Sequence, residues 1–162
     1  MTATAIDTRE FRNALGNFAT GVTIITACGK DGRLAGVTAS SFNSVSLDPP
    51  LVLWSLTKES PSLKIMEEAS HFCVHVLSAD QSELGMKFAK AGEDKFAGVT
   101  YLEGLGGAPM FENCLANFQC RNVVHHEGGD HVIIVGEVEA FDVHQGEPLI
   151  FFRGKLGELC PV

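Results

Sequence analysis

The sequence predicts a mainly β protein whose antiparallel strands form a closed or nearly closed barrel carrying a few short helices. Many strand-like segments follow one another, separated by turns rich in glycine and proline, whereas only three short helices are signalled. The helices do not alternate strictly with the strands, which argues against a doubly wound parallel sheet. A length of 162 residues and an apolar content of 45% suit one globular domain spanning 1–162.

Two helices are indicated by residues that typically begin or end a helix. Asp7 and Glu10 have the spacing of a capping box, and the helix that they open should end near residue 15, before Gly16. Ser60 followed by Pro61 predicts an N-cap and a proline at the first helical position, for a short helix that reaches about residue 68.

The third helix and the strands are indicated by spacing and by β-branched content. Ser78 and Gln81 repeat the capping-box spacing, and Leu84 and Phe88 give the following helix an apolar face. The strands are segments of β-branched and aromatic residues that end at turn residues. We expect them over residues 21–26, 34–38, 51–56, 72–77, 115–125, 131–142 and 149–152.

Charge and cysteine content exclude several classes of protein. Twelve basic and twenty acidic residues leave a net charge of −8 without a basic patch, so we expect no nucleic-acid partner. Five widely spaced cysteines favour a reducing compartment over a disulfide framework or a zinc site. The N-terminus lacks the pattern of a signal peptide, and no apolar run reaches the ~20 residues of a membrane helix. We therefore expect a cytoplasmic protein that does not enter a membrane.

Four polar segments could carry chemistry, and each has a plainer interpretation. Residues 38–44 are dense in hydroxyls that could hold ring carbonyls or a phosphate, or could form an ordinary turn. Residues 55–62 offer four hydroxyls and a lysine before a helix N-terminus, which suits an anion site or a simple cap. Lys95 could reach a phosphate or remain solvated. His131, in a glycine turn, could face a ligand or be structural.

Other kinds of site are not supported. His125, His126 and His131 lack a standard zinc spacing, so we expect no metal site. No G-x-G-x-x-G segment opens a helix after a strand, so a Rossmann nucleotide site is not indicated.

The order of several short motifs along the chain is more specific than any one of them. From residue 11 to residue 156 the chain resembles the short-chain flavin reductases, which are the reductase components of two-component flavin-dependent monooxygenases. The resemblance is carried by FRNALG (11–16), FATGVT (18–23), TASSF (38–42), SVSLDPPLVL (44–53), KFAGV (95–99), GGDH (128–131) and PLIFFRG (148–154).

The resemblance implies an FMN-binding split β-barrel of Greek-key antiparallel topology, a homodimer, and a flavin site between the barrel and the partner subunit. It also implies which residues contact each ligand. The flavin residues that it implies are Val37, Thr38, Ala39, Ser40, Ser41, Ser55, Leu56, Thr57, Lys58, Ser60, Phe88, Ala89 and Lys95. The nicotinamide residues that it implies are His131, which is also the catalytic candidate, Phe152, Arg153 and Gly154. Family members differ at the position of Ser40 and often have asparagine at that of His75.

The implied activity is hydride transfer from NADH or NADPH to FMN or FAD, with the reduced flavin supplied to a separate monooxygenase. This reaction requires the nicotinamide to be positioned over the flavin more than it requires acid or base groups. A non-catalytic flavin-binding or storage protein on the same barrel is the main alternative. An oxidase or oxygenase with tightly bound flavin and a metal- or haem-binding barrel are two others.

Overall fold

A computed structural model describes residues 5–92 and 94–160, and these residues form three sheets and three short α-helices. The helices are α1 (Thr8–Leu15), α2 (Leu63–Glu68) and α3 (Ser82–Ala89). The strands are β1 (Thr20–Gly21), β2 (Thr23–Cys28), β3 (Leu34–Ala39), β4 (Asn43–Leu47), β5 (Pro50–Thr57), β6 (His71–Val76), β7 (Leu102–Glu103), β8 (Pro109–Met110), β9 (Ala116–Gly128), β10 (His131–Val143), β11 (Leu149–Phe152) and β12 (Lys155–Glu158).

The main sheet has seven antiparallel strands in the order β3-β2-β6-β9-β10-β5-β4. A flat sheet of this size would hold its outermost strands roughly 29 Å apart, at about 4.8 Å for each neighbouring pair. Only residues 40–42 connect β3 to β4, and three residues span about 10 Å. The sheet must therefore roll until its two edges meet, which makes a barrel.

The barrel is split where its edges meet, because among the described strands no ladder joins β3 to β4 or to β5. The Ser41 hydroxyl bridges part of this seam: it donates to the Ser55 carbonyl at 3.1 Å and accepts from the Ser55 N–H at 2.9 Å. The predicted split barrel is confirmed, and the non-sequential strand order is that of a Greek key.

Two apolar clusters lie on opposite faces of β2, and this explains why five of its six residues are buried. Ile25, with Trp54 and Phe72, belongs to the cluster inside the barrel. Ile24 belongs to a second cluster, with Phe88 of α3, which lies between the barrel, α3 and the small sheet β1-β11-β12. Burial on both faces requires a continuous apolar and β-branched strand, as the sequence has here.

Local capping signals predicted two of the three helix starts. The Asp7 carboxylate accepts from the N–H groups of Arg9 and Glu10, and α1 ends at Leu15 as expected. Ser78 and Gln81 form their capping box at a short 3₁₀ turn that leads into α3. Within the described residues, no helix has both the length and the apolar character needed to cross a bilayer.

The prediction for the start of α2 was wrong. Its N-cap is Ser62, and the helix begins at Leu63 instead of Pro61. The Leu63 N–H donates to the Ser60 carbonyl at 3.1 Å, and the Ser60 hydroxyl accepts from the Ser62 N–H at 3.3 Å. Ser60 and Pro61 therefore form a turn ahead of a helix of six residues.

Candidate functional site

A long groove follows the seam of the barrel and has a volume of about 750 Å³. We call it the seam groove. Its walls come from β3, from the end of β5 and the turn after it, and from the end of α3 with the loop that follows. Seven of the flavin residues implied by the sequence line it: Val37, Leu56, Thr57, Ser60, Phe88, Ala89 and Lys95. A volume of this size is typical of a site for an organic ligand.

One wall of the seam groove depends on a close approach between α3 and β3. A Cβ atom on Gly36 would lie 2.6 Å from Cδ1 of Phe88 and 3.1 Å from Cζ of Phe96, so only glycine fits here. Phe88 is fully buried and lies against Phe96 and Phe111, with ring centroids 5.1 and 5.3 Å away. This packing fixes the position of the groove wall relative to β3.

Lys95 connects the same two elements by hydrogen bonds. Its ammonium donates to the Gly36 carbonyl at 3.1 Å and to the Phe88 carbonyl at 2.9 Å. Partial burial lowers the pKa of Lys95 from its usual value. Two of its three N–H groups are thus committed to the backbone, and one remains to meet a ligand.

The rim of the seam groove is polar and contains both hydroxyls and cations. The hydroxyls are those of Thr57, Ser60 and Ser62, and the additional cations are Lys90 and Arg33, of which Arg33 is paired with Asp31. The carboxylates of Glu59 and Asp94 also line the groove. Because α2 begins only at Leu63 and has six residues, the candidate anion site at residues 55–62 lies at a turn and not at a helix N-terminus. An apolar floor with such a rim suits a planar ligand that carries a polar chain and an anionic group.

A second cavity of about 520 Å³ lies on the other side of the α3 end. We call it the hairpin cavity, because the β11–β12 hairpin forms one wall through Phe151 and Gly154. Thr38 and Ser40 line the opposite wall, and Ala89 lines both cavities. The two cavities are therefore neighbours, and two ligands could lie close together.

Several candidate residues are already occupied in contacts within the chain. The Thr38 hydroxyl donates to the Gly85 carbonyl of α3 at 2.6 Å, and the Ser41 hydroxyl bonds Ser55 across the seam. Ala39 packs against the core inside the barrel. The Lys58 ammonium is paired with Glu127. These residues shape the site, and Ser40 keeps an exposed side chain beside the hairpin cavity.

His131 lies at the start of β10, directly opposite Thr57 of β5. Residues opposite each other in a ladder project from the same face. His131 therefore lies beside the end of the seam groove that contains Thr57, where a phosphate could bind. Its Nδ1 lies 2.7 Å from the Asp130 carboxylate, and its side chain is 45% exposed. The hydrogen bond with His131 holds the pKa of Asp130 below its usual value. The imidazole is thus accessible and oriented by its neighbour.

Phe152 and Arg153 lie on the small sheet, away from β10, and are tied to the end of α1. The Arg153 guanidinium is 5.0 Å from the centre of the Phe152 ring and donates to the Asn17 side-chain oxygen. No contact among the described residues joins either of them to His131. Of the expected nicotinamide residues, only Gly154 lines the hairpin cavity.

Sequence reasoning missed some residues that shape the site. Gly36 and Met86 have no local signal, since their importance comes from packing against α3 or the hairpin. Ser62 was within the hydroxyl-rich stretch and could have been singled out. Lys90 follows α3 directly, and a charged residue in that position is usually solvated, so it gives no local signal either.

In comparisons with known proteins, the chain is similar to flavin reductases. The family model described as flavin reductase like domain matches residues 15–159. An FMN reductase (NADH) of Agrobacterium fabrum is 47% identical over 151 residues, which cover 93% of this chain and 86% of that protein. The reductase subunit of a flavin-dependent monooxygenase of Rhodococcus jostii is 41% identical, over 98% of this chain and 82% of the subunit. The chain spans half the length of a probable flavin reductase of Rhizobium meliloti, with 46% identity.

Solved structures share the fold over nearly the whole chain. The NADH:FAD oxidoreductase of Streptomyces globisporus, in complex with NAD and FAD fragments, superposes with a TM-score of 0.90 at 34% identity, and the match covers 98% of both chains. A homologue of nitrilotriacetate monooxygenase component B from Mycobacterium thermoresistibile superposes with a TM-score of 0.91 at 40% identity, over 98% of this chain and 90% of that one.

Proposed function

The chain belongs to the flavin reductase-like domain family, and we propose that it transfers hydride from NADH or NADPH to FMN or FAD and supplies the reduced flavin to a separate monooxygenase. The observation that carries the proposal is the seam groove, where an apolar floor meets hydroxyls and lysines in a chain of this family. A non-catalytic flavin-storing protein would need the groove but not the hairpin cavity beside it.

We assign the flavin to the seam groove on chemical grounds. The floor formed by Val37 and Leu56 offers an apolar surface for a flat ring, while Thr57 and Ser60 offer donors for a polyol chain and a phosphate. Lys95 adds positive charge locally, from the α3 side, in a chain whose net charge is −8.

We assign the nicotinamide to the hairpin cavity and its surroundings. A bound flavin accepts the hydride, so the protein must bring two rings together and exclude water from between them. Thr38, Ser40 and Gly154 line the cavity next to the groove, and Ala89 lies where the two cavities meet. We keep His131 as the proposed catalytic residue because of the family resemblance: its accessible imidazole, oriented by Asp130, flanks the Thr57 end of the seam groove, outside the hairpin cavity, and can orient the part of the nucleotide that reaches it or stabilise charge.

We also propose a homodimer, because the outer face of β5 and β10 is apolar. Four apolar side chains on this face point away from the barrel interior and are partly exposed: Leu51, Leu53, Ile133 and Val135. Val124 lies beside them and is 40% exposed. Strands that are apolar on both faces are usually covered on both. Since Ser55 and Thr57 continue the same face of β5, a partner on this surface would border the seam groove.

Two features of the dimer proposal can be tested together. Sedimentation should give about twice the chain mass of 17.4 kDa, and Leu53→Glu should yield monomers with impaired flavin binding. An exposed Val45→Glu variant, on the neighbouring β4, controls for added charge. A fully active monomer would contradict the proposal.

We further propose a cytoplasmic location, since all five cysteines, each within the described part of the chain, are free thiols.

The activity is tested by steady-state oxidation of NADH and of NADPH with FMN, with FAD and without flavin. We expect oxidation only when flavin is supplied or retained by the purified protein. Equal rates in all three conditions, or no oxidation in any, would contradict the reductase function. Flavin binding without nucleotide oxidation would instead identify a storage protein.

A further inference from the structure

The β11–β12 hairpin has an unusual residue in its turn. Phe152 pairs with Lys155, so the loop consists of Arg153 and Gly154, with φ angles of +47° and +76°. Two-residue loops with positive φ at both positions are type I′ turns, which strongly favour asparagine, aspartate or glycine at the first position. An arginine here is strained, and such strain persists where surrounding contacts hold the residue in place.

Those contacts all connect the turn to the end of α1. The Arg153 N–H donates to the Gly16 carbonyl at 2.9 Å. The guanidinium donates from Nε and Nη2 to the Asn17 side-chain oxygen, at 2.9 and 2.7 Å, while it lies over the Phe152 ring. The side chain of Arg153 is thus used in a contact that asparagine or glycine in the turn could not make.

Asn17 completes the connection on the helix side. Its amide nitrogen lies within hydrogen-bonding distance of the carbonyls of Asn13 and Ala14, at 3.0 and 3.2 Å, which are among the last carbonyls of α1. No residue of α1 is buried, so the helix has little apolar packing to hold it within the described chain. The Asn17–Arg153 contact therefore fixes the turn and the helix end relative to each other.

We propose that Arg153 is a positioning residue for the nucleotide: through Asn17 it holds the β11–β12 turn as the wall of the hairpin cavity, without contacting the nucleotide itself. The turn supplies Gly154 and, next to it, Lys155 to this cavity. This inference rests on the proposed function, which assigns the nicotinamide to the hairpin cavity. It explains why a strained arginine occupies a position that asparagine would fill without strain.

The test compares Asn17→Ala, Arg153→Asn and the double variant, with Lys30→Asn in an exposed turn as the charge-matched control. KM and kcat for NADH are measured at saturating FMN, together with the Kd of FMN and the Tm. Each single variant should raise the KM for NADH about tenfold, since a displaced wall misplaces the nucleotide. The double variant should be no worse than either single one, because both remove the same contact.

Further measurements separate positioning from a purely structural role. Arg153→Asn should keep the Tm and the Kd of FMN, because asparagine tolerates positive φ. Asn17→Asp keeps an acceptor for Arg153 but loses the two bonds to α1, so it should raise the KM less than Asn17→Ala does.

Three results would overturn the positioning role. An unchanged KM in Asn17→Ala with a raised KM in Arg153→Asn would mean that Arg153 binds the nucleotide directly. Additive effects in the double variant would show that the two residues act independently. Parallel losses of Tm and FMN affinity would show a structural role only. Unmodified protein that oxidises neither NADH nor NADPH with any flavin would overturn the proposed function instead, before any variant is compared.

Discussion

Replacing Gly36 by alanine tests whether the contact between β3 and α3 sets the shape of the seam groove. The added Cβ would lie 2.6 Å from Cδ1 of Phe88, well inside normal contact distance. Phe88 cannot rotate away freely, because it is fully buried and packed against Phe96 and Phe111. The end of α3 must therefore move away from β3.

The size of the effect follows from known costs of overpacking. Inserting a methyl group into a well-packed core costs about 1–3 kcal/mol. At roughly 2–4 °C per kcal/mol for a chain of this size, Gly36→Ala should lower the Tm by about 2–12 °C. The displaced α3 end also carries Ala89 and the Phe88 carbonyl that binds Lys95, so FMN affinity should fall about tenfold, or 1.4 kcal/mol.

Thermal melting and FMN titration measure both effects, with two further variants as references. Gly21→Ala is the matched control, because a Cβ there meets no atom within 4 Å. Phe88→Leu makes room for the new methyl group, so the double variant with Gly36→Ala should be more stable than the two single effects predict. If Gly36→Ala matches Gly21→Ala in Tm and in FMN affinity, the reasoning about this groove wall is refuted.

Three other predictions concern the ligands and pH. Thr57→Ala should weaken FMN by about 1.5–3 kcal/mol, through loss of one hydrogen bond to a charged group, and should affect riboflavin less; equal losses in the two Kd values would locate the phosphate elsewhere. His131→Ala should lower kcat/KM for NADH about ten- to a thousandfold at unchanged FMN Kd and Tm, whereas the reverse pattern would make His131 structural. Burial lowers the pKa of His75 from 6.5 to about 4, so the folded state favours the neutral imidazole. Stability should then be complete above pH 6.5 and fall by up to about 3 kcal/mol as pH drops towards 4, in urea unfolding, and His75→Asn should remove that dependence.

Elements with a local signal were predicted well from the sequence. α1 ends at Leu15 and β11 spans Leu149–Phe152, both as expected, because capping residues and short β-branched runs are decided by near neighbours. β4 was not expected as a strand, since Asn43, Ser44 and Ser46 are typical of turns. It is a strand because it pairs with β5 across the two-residue turn at Asp48 and Pro49, so the neighbouring strand outweighs the turn preference of its own residues.

The sequence alone determined the family, the mainly β fold and the segments that could meet a flavin, because these depend on residue order and local pattern. Only the tertiary structure decided which side chains remain free for a ligand. Thr38 donates to Gly85, 47 residues away, and Lys95 binds Gly36, 59 residues away. Ser41 bonds Ser55 across the seam. A hydroxyl or ammonium has few hydrogen bonds to make, and partners so distant in the chain are fixed by how the sheet rolls up and not by the spacing of the residues around them.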